Sequence, residues 1–191
     1  MKPSTNRLRV TIDDMEKEIK KAKKVVIGGT FDILHEGHKA LLKKAFELGE
    51  VTIGLTSDVL ARKIKKRKVA DFNQRKTELS DFIKKEFKVK PPYHKFGSGG
   101  KPKILKIEDK FGPTLKYDFD YIVVSPETYK TALLINRKCQ KANKKPIEIV
   151  KINFVLAEDR KLISSTRILK EEINEKGELV KRSRINTGIK L

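Results

Sequence analysis

The passage Val25-Val26-Ile27-Gly28-Gly29-Thr30-Phe31-Asp32 constrains this chain more than any other, because a β-branched apolar run meets paired glycines, a hydroxyl and an acid. Three consecutive β-branched residues with no polar alternation fit a short strand buried on both faces, and Gly28-Gly29 then reads as a tight turn. From His38 onward, Leu41, Leu42, Ala45, Phe46 and Leu48 recur at helical spacing, and Gly49 is a natural stop. The chain therefore begins its ordered part as strand, turn, helix.

The alternation continues. Residues 51–55 read as a second strand, and Thr56-Ser57-Asp58 can cap a short helix carrying Leu60 and Lys63. Leu79, Phe82, Ile83 and Phe87 give Phe72–Phe87 an amphipathic helical pattern. Further strands are expected at 93–96, Tyr121–Val124 and 147–156, and further helices at 127–142 and 166–173. A polar helical lead is expected at 13–24, a flexible insertion at 97–103 (Gly-Ser-Gly-Gly-Lys-Pro-Lys), and a loosely held basic tail at 181–191. Strands alternating with helices predict an α/β fold, a Rossmann-like open parallel sheet with helices on both faces, with ligands at the carboxyl ends of its strands. The expected organisation is a single domain over 1–191, with its core at about 23–175.

Composition narrows the function classes. With 191 residues and 38% apolar content, the chain can build one core of ordinary size. No stretch approaches the ~20 apolar residues of a membrane span, and the first 24 residues lack a signal-peptide core, so a cytoplasmic protein with no membrane partner is expected. The single cysteine, Cys139, forms no disulfide framework within one chain and reads as an ordinary thiol. Lys and Arg outnumber Asp and Glu by 45 to 25, a formal charge of +20. Such a field attracts phosphate-bearing molecules, nucleic acid among them, although dispersed lysines on a solvated surface carry much of the excess.

Two segments can carry chemistry. In the first, Gly28 to His38, glycines allow close backbone approach to a phosphate or purine, and helix-start amides favour negative charge. His35 and His38, three residues apart, can face one ligand and neutralise a phosphate oxygen. The other ligands of a zinc site are missing from the pattern, so no metal site is expected there. In the second, Ile163-Ser164-Ser165-Thr166-Arg167, three hydroxyls and an arginine at a helix start suggest an anion cradle beyond a simple cap. The basic run 62–68 follows the second strand and so lies at the same sheet edge; one or two of its cations can reach a phosphate there, or the run can hold nucleic acid. Arg75 and Arg137 are further cation candidates.

Gly28-Gly29-Thr30-Phe31-Asp32 with His35-Glu36-Gly37-His38 resembles the first signature of the nucleotidyltransferase superfamily that includes class I aminoacyl-tRNA synthetases, and Ile163-Ser164-Ser165-Thr166 resembles its second. The segments between, among them Asp109-Lys110-Phe111-Gly112-Pro113-Thr114, Val124-Ser125-Pro126-Glu127-Thr128 and Ile135-Asn136-Arg137, resemble the archaeal and eukaryotic form of phosphopantetheine adenylyltransferase. The resemblance implies AMP transfer from ATP to 4′-phosphopantetheine, giving dephospho-coenzyme A and pyrophosphate. It implies that Thr30 and Lys63 hold the acceptor phosphate, that His38 stabilises the α-phosphate, and that His35 assists at the triphosphate. Ser164, Ser165 and Thr166 would take the β- and γ-phosphates, with Gly28, Gly29, Phe31 and Gly37 around the nucleotide and Arg75 and Arg137 at the acceptor phosphate. Magnesium (Mg2+) would come with the ATP phosphates. Nicotinamide or flavin mononucleotide as acceptor, and a basic nucleic-acid-binding module, are the alternatives.

Overall fold

The computed structural model describes residues 23–87 and 102–180. The expected strand at 93–96 and the tail at 181–191 lie outside these residues, as does nearly all of the lead at 13–24.

Five strands form one parallel sheet in the order β3-β2-β1-β4-β5. They are β1 (Lys24–Gly29), β2 (Glu50–Thr56), β3 (Lys103–Ile107), β4 (Tyr121–Val124) and β5 (Glu148–Lys151). The helices are α1 (Glu36–Leu48), α2 (Asp58–Lys65), α3 (Phe72–Phe87), α4 (Tyr129–Lys141) and α5 (Ser165–Leu169), with a 3-10 turn at Gly112–Leu115. In β1, Val25 and Ile27 face one side and Val26 the other, as the two-residue period of a strand requires. Val25 and Ile27 pack with Leu42, Ala45 and Phe46 of α1 and with Leu79 and Ile83 of α3. Val26 packs with Ile122 and Val124 of β4 and with Ala132, Ile135 and Cys139 of α4. The sheet thus has an apolar layer on each face, as the unalternating strand sequences require.

Strand order reverses at β1, whose neighbours β2 and β4 lead the chain to opposite edges. A crevice opens at the carboxyl ends of the strands at such a switch point.

Four expectations need correction. Gly28 and Gly29 are no turn; both belong to β1, paired with Gly54 and Leu55 of β2, and the chain turns only at Thr30 and Phe31. β3 begins at Lys103, inside the stretch expected to be insertion. Its lysines at 103 and 106 hide a strand that, among the described residues, pairs only with β2 at the edge of the sheet. β5 stops at Lys151 rather than continuing to 156, because residues 152–155 leave the sheet to form a cavity wall. α5 likewise ends at Leu169, before the left-handed Glu171 (φ 54°), and Ile173 is buried instead by a bridge to Leu179.

Candidate active site

A cavity of about 460 Å³ opens over the carboxyl ends of β1, β2 and β4. Of the expected site residues, Gly28, Gly29, Thr30, Phe31, His35, Gly37, His38, Ser164 and Ser165 line it. The two signature segments, separated by well over a hundred residues, meet at one wall, where the Ser165 hydroxyl donates to the Ile33 carbonyl at 3.4 Å.

The first segment is held by its own side chains. Phe31 takes a left-handed backbone (φ 47°), uncommon for an aromatic residue, and its ring folds back beside Gly29. A Cβ on Gly29 would come within 2.8 Å of that ring, and one on Gly37 within 2.9 Å of the His35 ring. These two glycines therefore make room for the protein's own rings. Gly28 differs: a Cβ there would meet nothing nearer than the Gly54 carbonyl at 3.9 Å, so it is the glycine that leaves the cavity floor open.

His35 is the N-cap of α1, its Nδ1 accepting the Gly37 amide at 3.1 Å. The Glu36 amide donates to Glu175, and those of His38 and Lys39 donate to the His35 carbonyl. The expectation of free helix-start amides at this motif is thus corrected, since all four have protein acceptors. What the segment offers instead is imidazole. The rings of His35 and His38 stand 4.0 Å apart between centroids. Burial, then the Lys65 charge, lowers the pKa of His35 to about 4. Burial, then His35 and Lys65, holds His38 well below its ordinary value, against an upward pull from the Ile33 carbonyl. Both rings are neutral at physiological pH. With Nδ1 of His35 accepting, its proton sits on Nε2 as a donor. His38 Nδ1 is buried with no hydrogen-bond partner among the described residues.

A cation at the cavity is Lys65, at the last position of α2. Lys63 is exposed and absent from the wall. Helical spacing explains the difference. Lys65 follows the buried Ala61 by four residues and shares its face, whereas Lys63 lies about 200° around from Ala61. Applied to the short helix, that periodicity could have found Lys65 in the sequence. Lys110, on the loop after β3, also reaches the wall and had no pattern to mark it.

The arginines do other work. Arg75 is fully buried. Its guanidinium donates to the carbonyls of Ala70 (2.8 Å) and Thr30 (3.0 Å), the Thr56 hydroxyl (3.3 Å) and the Asp58 carboxylate (2.9 Å). It ties together the loops at the ends of β1 and β2 from below rather than lining the cavity. Arg137 is exposed on α4, away from the wall; its neighbour Asn136 pins the start of β5 by paired bonds with Ile147. Arg167, expected to add charge to the second segment, turns away to Asp159 and Glu172. At that segment Ser164 caps α5 through the Arg167 amide, and the amides of Ser165 and Thr166 find no acceptor among the described residues. The Thr166 side chain is exposed and off the wall.

Cys139 is buried, its thiol toward the Thr114 carbonyl. Among the described residues no group of three or more His, Cys, Asp or Glu could hold a metal ion, and no helix is long and apolar enough to cross a membrane.

Comparison with known proteins matches this arrangement to a family. Residues 26–171, which contain both signature segments, match the cytidylyltransferase-like family. This chain belongs to that family. Within it, the chain is 44% identical to phosphopantetheine adenylyltransferase of Methanosarcina acetivorans over 163 residues, covering 84% of this chain and 97% of the relative. It is 43% identical to the enzyme of the same name from Archaeoglobus fulgidus, over 82% of this chain and 99% of that one. A crystal structure described as a protein of unknown function from Archaeoglobus fulgidus superposes with a TM-score of 0.58 at 41% identity, over 69% of this chain and 99% of the other. The family placement agrees with the resemblance carried by the two signatures.

Proposed function

We propose that this protein is a cytoplasmic phosphopantetheine adenylyltransferase, moving AMP from ATP to 4′-phosphopantetheine and releasing pyrophosphate. The observation that carries the reading is the convergence of the histidine pair, Lys65 and the Ser164-Ser165 turn on one cavity, in a chain whose relatives bear that enzyme's name.

An oxygen of the acceptor's phosphate attacks the α-phosphorus of ATP, the bond to the bridging oxygen breaks, and that electron pair leaves with pyrophosphate. The attacking oxygen is already an anion, so no strong base is needed; alignment and charge neutralisation suffice. Thr30 and Lys65 are the groups we assign to the acceptor phosphate, Lys65 in the role expected of Lys63. The neutral His38 donates to the α-phosphate oxygen, where charge grows, and His35 supports the triphosphate through Nε2–H. The Ser164 and Ser165 region, with the open amides of Ser165 and Thr166, receives the β- and γ-phosphates. The open space above Gly28 suits a planar base. Imidazole donors, an ammonium and hydroxyls match phosphate oxygens, so magnesium fits as part of the MgATP substrate, lowering the charge of the leaving pyrophosphate.

The test is pyrophosphate release from MgATP with 4′-phosphopantetheine, nicotinamide mononucleotide or flavin mononucleotide, for wild type and His38→Ala. Release with phosphopantetheine alone, lost in the variant, supports acceptor and site together. Turnover with another acceptor only would overturn the acceptor assignment, and silence with all three would overturn the enzyme reading.

A further inference from the structure

The chain just beyond Lys65 is fastened in an unusual way. Lys66 ends α2 in a left-handed conformation, and residues 67–70 then cross back to start α3. One buried carboxylate grips both ends of that crossing. Asp32 Oδ2 pairs with Arg67 Nη1 at 2.7 Å, while Oδ1 accepts the Ala70 amide at 3.2 Å. Asp32 directly follows the left-handed Phe31, so the kink that packs Phe31 beside Gly29 also delivers the carboxylate.

Neither Asp32 nor Arg67 lines the 460 Å³ cavity. Both face an open groove of about 790 Å³ across the loop, with Leu34, Gln74 and Phe82. They do not meet a substrate held in the cavity, yet the pair fastens the residues that follow Lys65. The guanidinium is also incompletely matched, for its buried Nε and Nη2 have no partner among the described residues. Stability alone would be better served by an apolar side chain here.

Resting on the adenylyl-transfer reading, we propose that Asp32 and Arg67 are positioning residues that set the place and charge of Lys65 over the cavity. The groups facing Lys65 come from several elements: the charged Arg67 on the basic side, Asp32 and Glu127 on the acidic side, and the neutral rings of His35 and His38. Half-burial lowers the ammonium's pKa first, Arg67 lowers it further, and Glu127 and Asp32 raise it. Removing Arg67 therefore makes Lys65 harder to deprotonate, whereas removing the Asp32 charge makes it easier.

The experiment is a double-mutant cycle on kcat for pyrophosphate release with MgATP and phosphopantetheine, alongside pH–kcat profiles and thermal melts. Lys65→Ala, Arg67→Gln and Asp32→Asn are each expected to lower kcat by ~10-fold or more, with Arg67→Gln adding less than about twofold in a Lys65→Ala background. The alkaline limb should move to higher pH in Arg67→Gln and lower pH in Asp32→Asn, and vanish in Lys65→Ala. Where Arg67→Gln melts too early, Arg67→Lys should recover most of the activity. Full additivity of Arg67→Gln with Lys65→Ala, or an alkaline limb unmoved by both charge removals, overturns the positioning proposal and leaves the enzyme reading intact. A Lys65→Ala variant as active as wild type likewise overturns the positioning proposal, whereas a wild type silent with phosphopantetheine overturns the adenylyl-transfer reading beneath it.

Discussion

The two signature segments reach the same cavity by opposite means. The segment after β1 is saturated with internal partners: Arg75 below Thr30, Phe31 against Gly29, His35 capping α1, Glu175 on the Glu36 amide. It presents side-chain donors on a main chain already occupied. The segment at α5 is a five-residue helix with one cap and one hydroxyl link to Ile33, and it presents open main-chain amides. Preorganisation explains the contrast. On the proposed mechanism, groups aimed at charge that grows during reaction act best when rigid, whereas groups that receive the leaving pyrophosphate must also release it.

The contrast can be broken first at Arg75. Its four acceptors belong to the first segment's support, so Arg75→Met should cost about 3–5 kcal/mol, on the scale of an interrupted buried ionic network. Urea unfolding measures this, and a loss under about 1 kcal/mol would show the first segment to be no more fixed than the second. His38→Ala should keep the melting temperature near wild type and reduce kcat ~10²-fold or more.

The glycines sharpen the same point. Gly29→Ala forces the Phe31 ring aside and should destabilise by about 1–3 kcal/mol, while Gly28→Ala, with 3.9 Å clearance, should fold normally and bind ATP more weakly. Calorimetric titration and thermal melts of both variants separate fold from binding; equal melts would remove the distinction between them.

The His35 cap predicts an acid dependence. Its folded pKa of about 4 lies below the unfolded value of 6.5, so the unfolded chain binds the proton first. The His35 contribution to stability is full above about pH 6.5 and is lost as pH falls toward 4, the loss reaching about 2 kcal/mol by pH 5. His35→Asn keeps a capping side chain but cannot titrate there, so its unfolding free energy should fall correspondingly less between pH 7 and 5. Parallel curves would exclude the effect. Smallest is the second segment's own cap: Ser164→Ala should cost about 1 kcal/mol and raise KM for ATP more than it lowers kcat.

Much of the fold was legible because long apolar periodicity decides it. The helix Phe72–Phe87 and the strand Tyr121–Val124 were read with the bounds they have. β3 is not legible in this way, since a short edge strand carrying Lys103 and Lys106 looks like solvated loop until β2 lies beside it. At the site, both signatures are legible in residue types, but the charge run 62–68 does not announce that Lys65 rather than Lys63 faces the cavity.

The sequence by itself determined the parallel α/β architecture, the two signature segments and their place at the sheet's carboxyl ends, because these depend on local period and residue chemistry. Only the tertiary structure decided which groups remain available. Arg75 and Arg167 are taken up by carboxylates and carbonyls distant in sequence or folded back by a turn, the α1 amides are taken by their own cap and by Glu175, and burial discharges both histidines. Hydrogen-bond capacity and desolvation are set by neighbours in space, and a linear sequence does not list them.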